Sequence, residues 1–162
     1  MHRFSPDDIG KEFGPSQWTK FSQADIDGFG KNTRDIAPLH MDTEWVRKHS
    51  PFGRTIAYGF QTLSMLTYFH HQVFGWDGET PTDQGFPLNY GFDRVRFIEP
   101  VPVDTPFRCH FTLTSMDEPN AGEYRTCFKV EVEVEGSKKP ALIADWVTYW
   151  VSEEGNQRLA AQ

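Results

Sequence analysis

The run Gly59-Phe60-Gln61-Thr62-Leu63-Ser64-Met65-Leu66-Thr67-Tyr68-Phe69-His70-His71-Gln72-Val73-Phe74 decides the fold. Phe60, Leu63, Leu66, Phe69 and Val73 recur at helical spacing, and Met65, Tyr68 and Phe74 add apolar surface on other sides. A helix that is apolar nearly all round is a buried one, so the spacing predicts a central helix over 59–74. Its enclosure is written downstream. Leu88, Tyr90 and Phe92 alternate, then the phase slips to Val95 and Phe97, which predicts a bulge near Asp93-Arg94. Stretches 105–115 and 123–135 alternate cleanly, with Glu131, Glu133 and Glu135 on the wet face. Stretch 141–151 is apolar on both phases, as expected of a central strand covered on both sides. Helices followed by an antiparallel meander give an α+β class: a sheet wrapped around one long central helix.

Working outward toward the N-terminus, 1–20 is a lead-in anchored by Trp18 and Phe21, with a short strand expected at 17–20. Ser22 reads as an N-cap, Asp25 completes a capping box, and Phe21 with Ile26 forms a hydrophobic staple. That helix runs to about residue 33, where Pro38 disfavours helical geometry at Ala37. Asp42 caps a second, short helix over 43–49. The segment 75–86, rich in glycine, proline and acids, is of a length often found at the rim of a binding site. From Ser152 the chain is polar and is expected to fray, so the domain is placed at 1–151 and a tail at 152–162.

At 162 residues the chain suits one domain with a real core, made bulky by fourteen Phe and five Trp. A net charge of −7 argues against a broad nucleic-acid footprint or an anionic membrane surface. No apolar run approaches the ~20 residues that a membrane helix needs. The first eight residues carry Asp7, Asp8 and Pro6 where a signal peptide would be apolar, so a cytoplasmic location is expected. Cys109 and Cys127 fall on opposite faces of their strands and are expected as free thiols.

The residues that carry chemistry precede the central helix: Asp35-Ile36-Ala37-Pro38-Leu39-His40, then Pro51-Phe52-Gly53 and Ile56-Ala57-Tyr58-Gly59. Residues five apart in one helix are rotated by about 140°, so only a broken backbone brings Asp35 and His40 to one point. Pro38 supplies the break. Taken on spacing alone, such a turn is also an ordinary capping element. His70-His71 does not read as a metal site, because helix neighbours point apart and no third ligand has suitable spacing.

In order and spacing, Asp35-x-x-Pro38-Leu39-His40, Pro51-Phe52-Gly53 and Ile56-Ala57-x-Gly59-Phe60 resemble the signature of MaoC-like dehydratases and (R)-specific enoyl-CoA hydratases. Asn89-Tyr90-Gly91 through Val95-Arg96-Phe97 to Pro100-Val101-Pro102-Val103 is similar to that family's strand after the central helix. Glu135-Gly136-Ser137-Lys138-Lys139-Pro140-Ala141 is similar to its last hairpin, so the likeness spans about residues 10–151. The chain departs from the usual pattern at Arg34 (usually Gly), Ala37 (often polar) and Tyr58 (usually His).

The resemblance implies a hot-dog fold, a homodimer or higher homo-oligomer, and reversible addition of water to a 2-enoyl-CoA to give a 3-hydroxyacyl-CoA. By position it makes Asp35 and His40 the acid/base pair that activates water, and the Gly59 N–H the donor that polarises the thioester carbonyl. Tyr58 and Phe60 become candidate substrate contacts, and Arg94 and Arg96 candidates for the coenzyme A phosphates. No cofactor beyond substrate coenzyme A and no metal is implied. A hot-dog thioesterase and a non-catalytic acyl-CoA-binding or assembly subunit are the alternatives.

Overall fold

A computed structural model describes residues 4–75 and 85–161. Ser22 opens α1 (Gln23–Thr33) with the expected box: its side chain accepts from Asp25 N, and Asp25 Oδ2 accepts from Ser22 N at 2.8 Å. Phe21 and Ile26, the staple pair, are both buried. A single-turn helix, α2 (Pro38–Met41), and then α3 (Thr43–His49) follow, with Asp42 Oδ1 accepting from Trp45 N at 2.8 Å. The central helix is present but jointed into α4 (Gly59–Ser64) and α5 (Leu66–Phe74). At Met65, still right-handed in φ and ψ, the N–H turns to the Thr62 and Leu63 carbonyls.

Burial of that helix corrects the all-round expectation. Leu66 and Phe69 are buried, whereas Phe60 is 69% and Tyr68 45% exposed. The sheet covers one side of the helix only. Its buried face meets Phe107, Phe111, Phe128 and Trp146 in one core.

Among the described residues the sheet has five antiparallel strands: β1 (Glu12–Phe13), β2 (Gly85–Phe97), β3 (Phe107–Asn120), β4 (Glu123–Val134) and β5 (Leu142–Ser152). Their order is β1-β3-β4-β5-β2. Three of the downstream strands form the expected meander, but β2 leaves it and lies at the far edge beside β5. The short N-terminal strand sits at residues 12–13, and in the expected 17–20 stretch only Thr19 makes an isolated bridge, to Phe107. Register shifts in β2 fall between Asn89 and Gly91 and between Phe92 and Arg94, the second at the expected bulge. β5 is interior to the sheet and partly covered on both phases: Leu142, Ala144 and Trp146 of one and Val147 and Val151 of the other are buried, whereas Ile143, Asp145 and Tyr149 are half-buried. Cys109 is buried in the core, Cys127 lies on the opposite face, and both thiols are free. Burial pushes the Cys109 thiol far up, which leaves it inert.

The segment expected to fray instead forms α6 (Glu153–Ala160), capped by Ser152, whose hydroxyl accepts from Gly155 N at 3.2 Å. Most of the expected rim loop, 76–84, lies outside the described residues. Among those described, no helix is long and apolar enough to cross a membrane.

Candidate active site

α1 ends on Arg34, whose φ of 63° and ψ of 19° are left-handed. That geometry favours glycine, and an arginine holding it turns the chain sharply into 35–37. Asp35 is exposed, and its Oδ1 accepts from Ala37 N at 3.4 Å, a loose turn on its own backbone. Pro38 then occupies the first turn of α2, where its missing N–H costs nothing. His40 therefore projects from a helix distinct from the one that leads into Asp35.

The ring of His40 is fixed by two contacts. Nδ1 lies 2.7 Å from the carbonyl oxygen of Ile56. Because a carbonyl only accepts, Nδ1 carries the proton, and in the neutral ring Nε2 is the basic nitrogen. The other contact is Tyr58, whose ring lies 3.8 Å from the imidazole centroid to centroid and is inclined by 31°.

Ile56 is itself held by a short ribbon: Ala57 N donates to Val101 O at 2.8 Å and Val103 N to Thr55 O at 2.9 Å. The connection from β2 to β3 thus positions the histidine's anchor. Behind α2, Gln23 Nε2 donates to His40 O and Asp27 Oδ1, both at 2.8 Å, while Thr55 Oγ1 donates to Gln23 Oε1 at 2.5 Å. Gln23 is a supporting residue that its place in an ordinary first helical turn did not reveal.

Tyr58 is 4% exposed, and its hydroxyl donates to the Asp35 carbonyl at 2.5 Å. Burial, then the nearby Asp35 and Asp27 charges, raise this phenol above its ordinary value and keep it a neutral donor. Gly30 makes room for it: a Cβ there would stand 2.2 Å from the Tyr58 hydroxyl and 2.8 Å from Asp35 O. On helix propensity alone a glycine weakens α1, and here it has a packing role.

A cavity of about 310 Å³ brings His40 together with Gly59. Ile56, Ala57, Phe52, Phe97 and Glu99 share its lining. Gly59 opens the central helix without a side-chain cap from Tyr58, and the first N–H groups of a helix have no intrahelical acceptor. A Cβ at Gly59 would come within 3.0 Å of the Phe97 ring, so close packing explains the glycine as well as open backbone does. Glu99 faces the cavity with its charge committed, since Ser137 Oγ donates to it at 2.7 Å and Lys139 Nζ lies 4.0 Å away.

The remaining candidates sit around this centre. Asp35 does not line the cavity, nor does Tyr58. Phe60 is exposed and meets Phe97 edge-on at 5.7 Å. Arg94 is paired with Asp145, and Arg96 is exposed with Nη1 donating to Val95 O at 2.8 Å. His70 packs among Phe74, Phe111, Phe128 and Trp146 at 4.5–6.0 Å. Among the described residues, no group of His, Cys, Asp and Glu is arranged to hold a metal ion.

Known proteins give this arrangement a context. Nodulation protein N of Rhizobium leguminosarum bv. viciae is 39% identical over 153 residues, covering 91% of this chain and 92% of the relative. The 3-hydroxyacyl-thioester dehydratase Z of Mycobacterium tuberculosis is 34% identical over 143 residues, covering 88% and 91%. In solved structures, the (R)-hydratase of A. caviae involved in PHA biosynthesis superposes with a TM-score of 0.66 over 86% of this chain and 94% of that one. Identity to it is 18%, so the likeness is one of fold. A family model described as the MaoC like domain matches residues 5–135. The chain belongs to the MaoC-like family.

Proposed function

We propose that the protein is a hydro-lyase that adds water reversibly to a 2-enoyl-CoA thioester, giving a 3-hydroxyacyl-CoA. The observation that carries this reading is the shared cavity of His40 and Gly59. A base able to take a proton there faces the start of a helix able to supply N–H donors.

In the hydration direction, neutral His40 accepts a proton from water at Nε2 as the oxygen bonds to C3. Asp35 accepts a hydrogen bond from the water's second O–H, which stays on the oxygen, and fixes its direction. This role requires the carboxylate to leave its own turn and swing to the cavity, whose lining it does not join. Electrons from the C2–C3 double bond shift toward the thioester oxygen, where the Gly59 N–H stabilises the growing charge. One preorganised donor of this kind contributes about 3–4 kcal/mol. The proton held by His40 then passes to C2, which completes the addition and returns the ring to its neutral form.

Tyr58 acts at the edge of this centre, and Phe60 with Phe97 forms an apolar wall for the acyl chain. Arg96 keeps donors for a coenzyme A phosphate, while Arg94 shares its charge with Asp145. The edge strand β2 exposes Phe86, Leu88 and Tyr90, an apolar edge of the kind that pairs with another chain, and a second copy is the proposed occupant.

A non-catalytic acyl-CoA-binding subunit is the second reading. It is favoured by Asp35, whose carboxylate caps its own turn outside the cavity lining. Loss of enoyl-CoA absorbance over esters of graded length separates the two. Turnover by the wild type, abolished in His40→Ala and Asp35→Asn with the fold retained, supports hydration; unchanged rates in both variants overturn the assignment. Tight acyl-CoA binding in calorimetry without turnover supports the second reading.

A further inference from the structure

One side chain touches both halves of the proposed pair. Tyr58 lays its ring against the His40 imidazole at 3.8 Å, and its hydroxyl holds the carbonyl of Asp35. It is 4% exposed, and Phe29 closes its other side at 5.2 Å. The hydroxyl fits only because Gly30 has no side chain. Ala37 O ties the far end of the 35–37 segment to α2, accepting from His40 N at 3.0 Å and Met41 N at 3.3 Å. At the Asp35 end the Tyr58 hydroxyl is joined only by the loose Asp35–Ala37 contact among the described hydrogen bonds. The charged groups around the phenol are Asp35 from the loop and Asp27 from α1.

We infer that Tyr58 is a positioning residue, which sets the Asp35 segment and the His40 ring in one fixed relation through a hydroxyl tether and a ring stack. The inference rests on the hydratase reading for its kinetic consequence, but not for its structural one. Tyr58 does not line the cavity that would hold the substrate. It acts on water activation by removing freedom from the two groups that hold the water. A misplacement of about 1 Å at a reacting centre costs about 100-fold in rate, so a loose Asp35 is a kinetic defect even where binding is intact.

Two variants separate the tether from the stack. Tyr58→Phe keeps the ring and removes the hydroxyl; Tyr58→Leu removes both. For the wild type, ¹⁵N spectra of the His40 ring are expected to show the single tautomer with Nδ1 protonated. Tyr58→Phe is expected to keep that tautomer while kcat falls about 10- to 100-fold and KM stays within about twofold. Tyr58→Leu is expected to mix the tautomers as well. Gly30→Ala, which forces the hydroxyl away, should reproduce the Tyr58→Phe defect. The two together should be no worse than either alone, since both act on one hydroxyl.

A Tyr58→Phe enzyme with wild-type kcat overturns the tether. Additive losses in the double variant do so too. An unchanged His40 spectrum in Tyr58→Leu overturns the stack, and it needs no turnover to be read. A wild type that hydrates no enoyl-CoA strikes the function proposed above, and the spectra, with amide exchange at Ile36 and Ala37 in Tyr58→Phe, then decide this inference alone: faster exchange supports the tether, unchanged exchange overturns it.

Discussion

Two polar clusters sit at opposite ends of the sheet, and they spend their hydrogen bonds differently. Around His40 the partners are backbone carbonyls: Ile56 O for the ring, His40 O for Gln23 and Asp35 O for Tyr58. Among the described residues no opposite charge pairs with the Asp35 carboxylate. Around Glu123 the reverse holds. That residue is 4% exposed, and its carboxylate takes Tyr149 Oη at 2.7 Å, Asn120 Nδ2 at 3.0 Å and an ion pair with Arg158 of α6. A buried charge needs such saturation to be tolerated. A reactive group needs the opposite, a fixed position with its basic atom left open. Saturation marks a structural latch, and uncommitted polar atoms held by backbone mark a candidate site.

The largest effects should dissociate the two. His40→Ala is expected to lower kcat for enoyl-CoA hydration by about 10²–10⁴-fold, the range for a general base. The half-exposed site should leave the melting temperature within a few degrees. Glu123→Ala should do the converse. Stranding buried partners typically costs 3–5 kcal/mol, and Arg158, a third exposed, reduces this to about 2–3 kcal/mol. At this size that is a fall of roughly 4–12 °C in melting temperature, with kcat unchanged. Calorimetry beside the absorbance assay checks both. A Glu123→Ala protein that melts like the wild type would mean that the Glu123 cluster is no structural latch.

What the sequence disclosed of these clusters follows the range of the interactions. The box at Ser22 and Asp25, the cap at Asp42 and the slip near Arg94 were legible because a few neighbouring residues decide them. The break between Asp35 and His40 was legible too, since Pro38 acts on the residue before it. The placement of β2 beside β5 was not, because alternation tells which face a residue takes and not which strand lies next to it. Gln23 and Gly30 serve contacts with residues far along the chain, to His40 and Tyr58, that no local pattern announces. α6 was missed for a similar reason. Its polar sequence has little helix-forming pattern, and it is held by the Glu123–Arg158 pair and by close backbone contact of Gly155 with Gly122.

A third cluster, on the outer face of the sheet, tests the same contrast at intermediate burial. Arg108 Nε donates to Glu133 Oε2 at 2.7 Å, and Arg108 lies 4.3 Å over the Trp18 ring. His110 has Glu133 within 2.9 Å of one ring nitrogen and Glu12 within 3.2 Å of the other. Arg108 first, then His110, hold the Glu133 carboxyl below its ordinary value of 4.5. A carboxyl depressed by folding contributes stability that is present above the ordinary value and is lost as pH falls through the lower, folded one. Glu133 is 38% exposed, so solvent screening limits that contribution to about 0.2–1 kcal/mol. Glu133→Gln removes the titration and leaves the Arg108–Trp18 stack in place. Denaturant midpoints of the two proteins should therefore differ by this small amount at pH 7 and converge as pH falls below 4.5 and through the lower, folded value, where Glu133 becomes neutral in both states. A gap that stays constant down to pH 3 would mean that the charge of Glu133 contributes nothing, and that its partners hold it by shape alone.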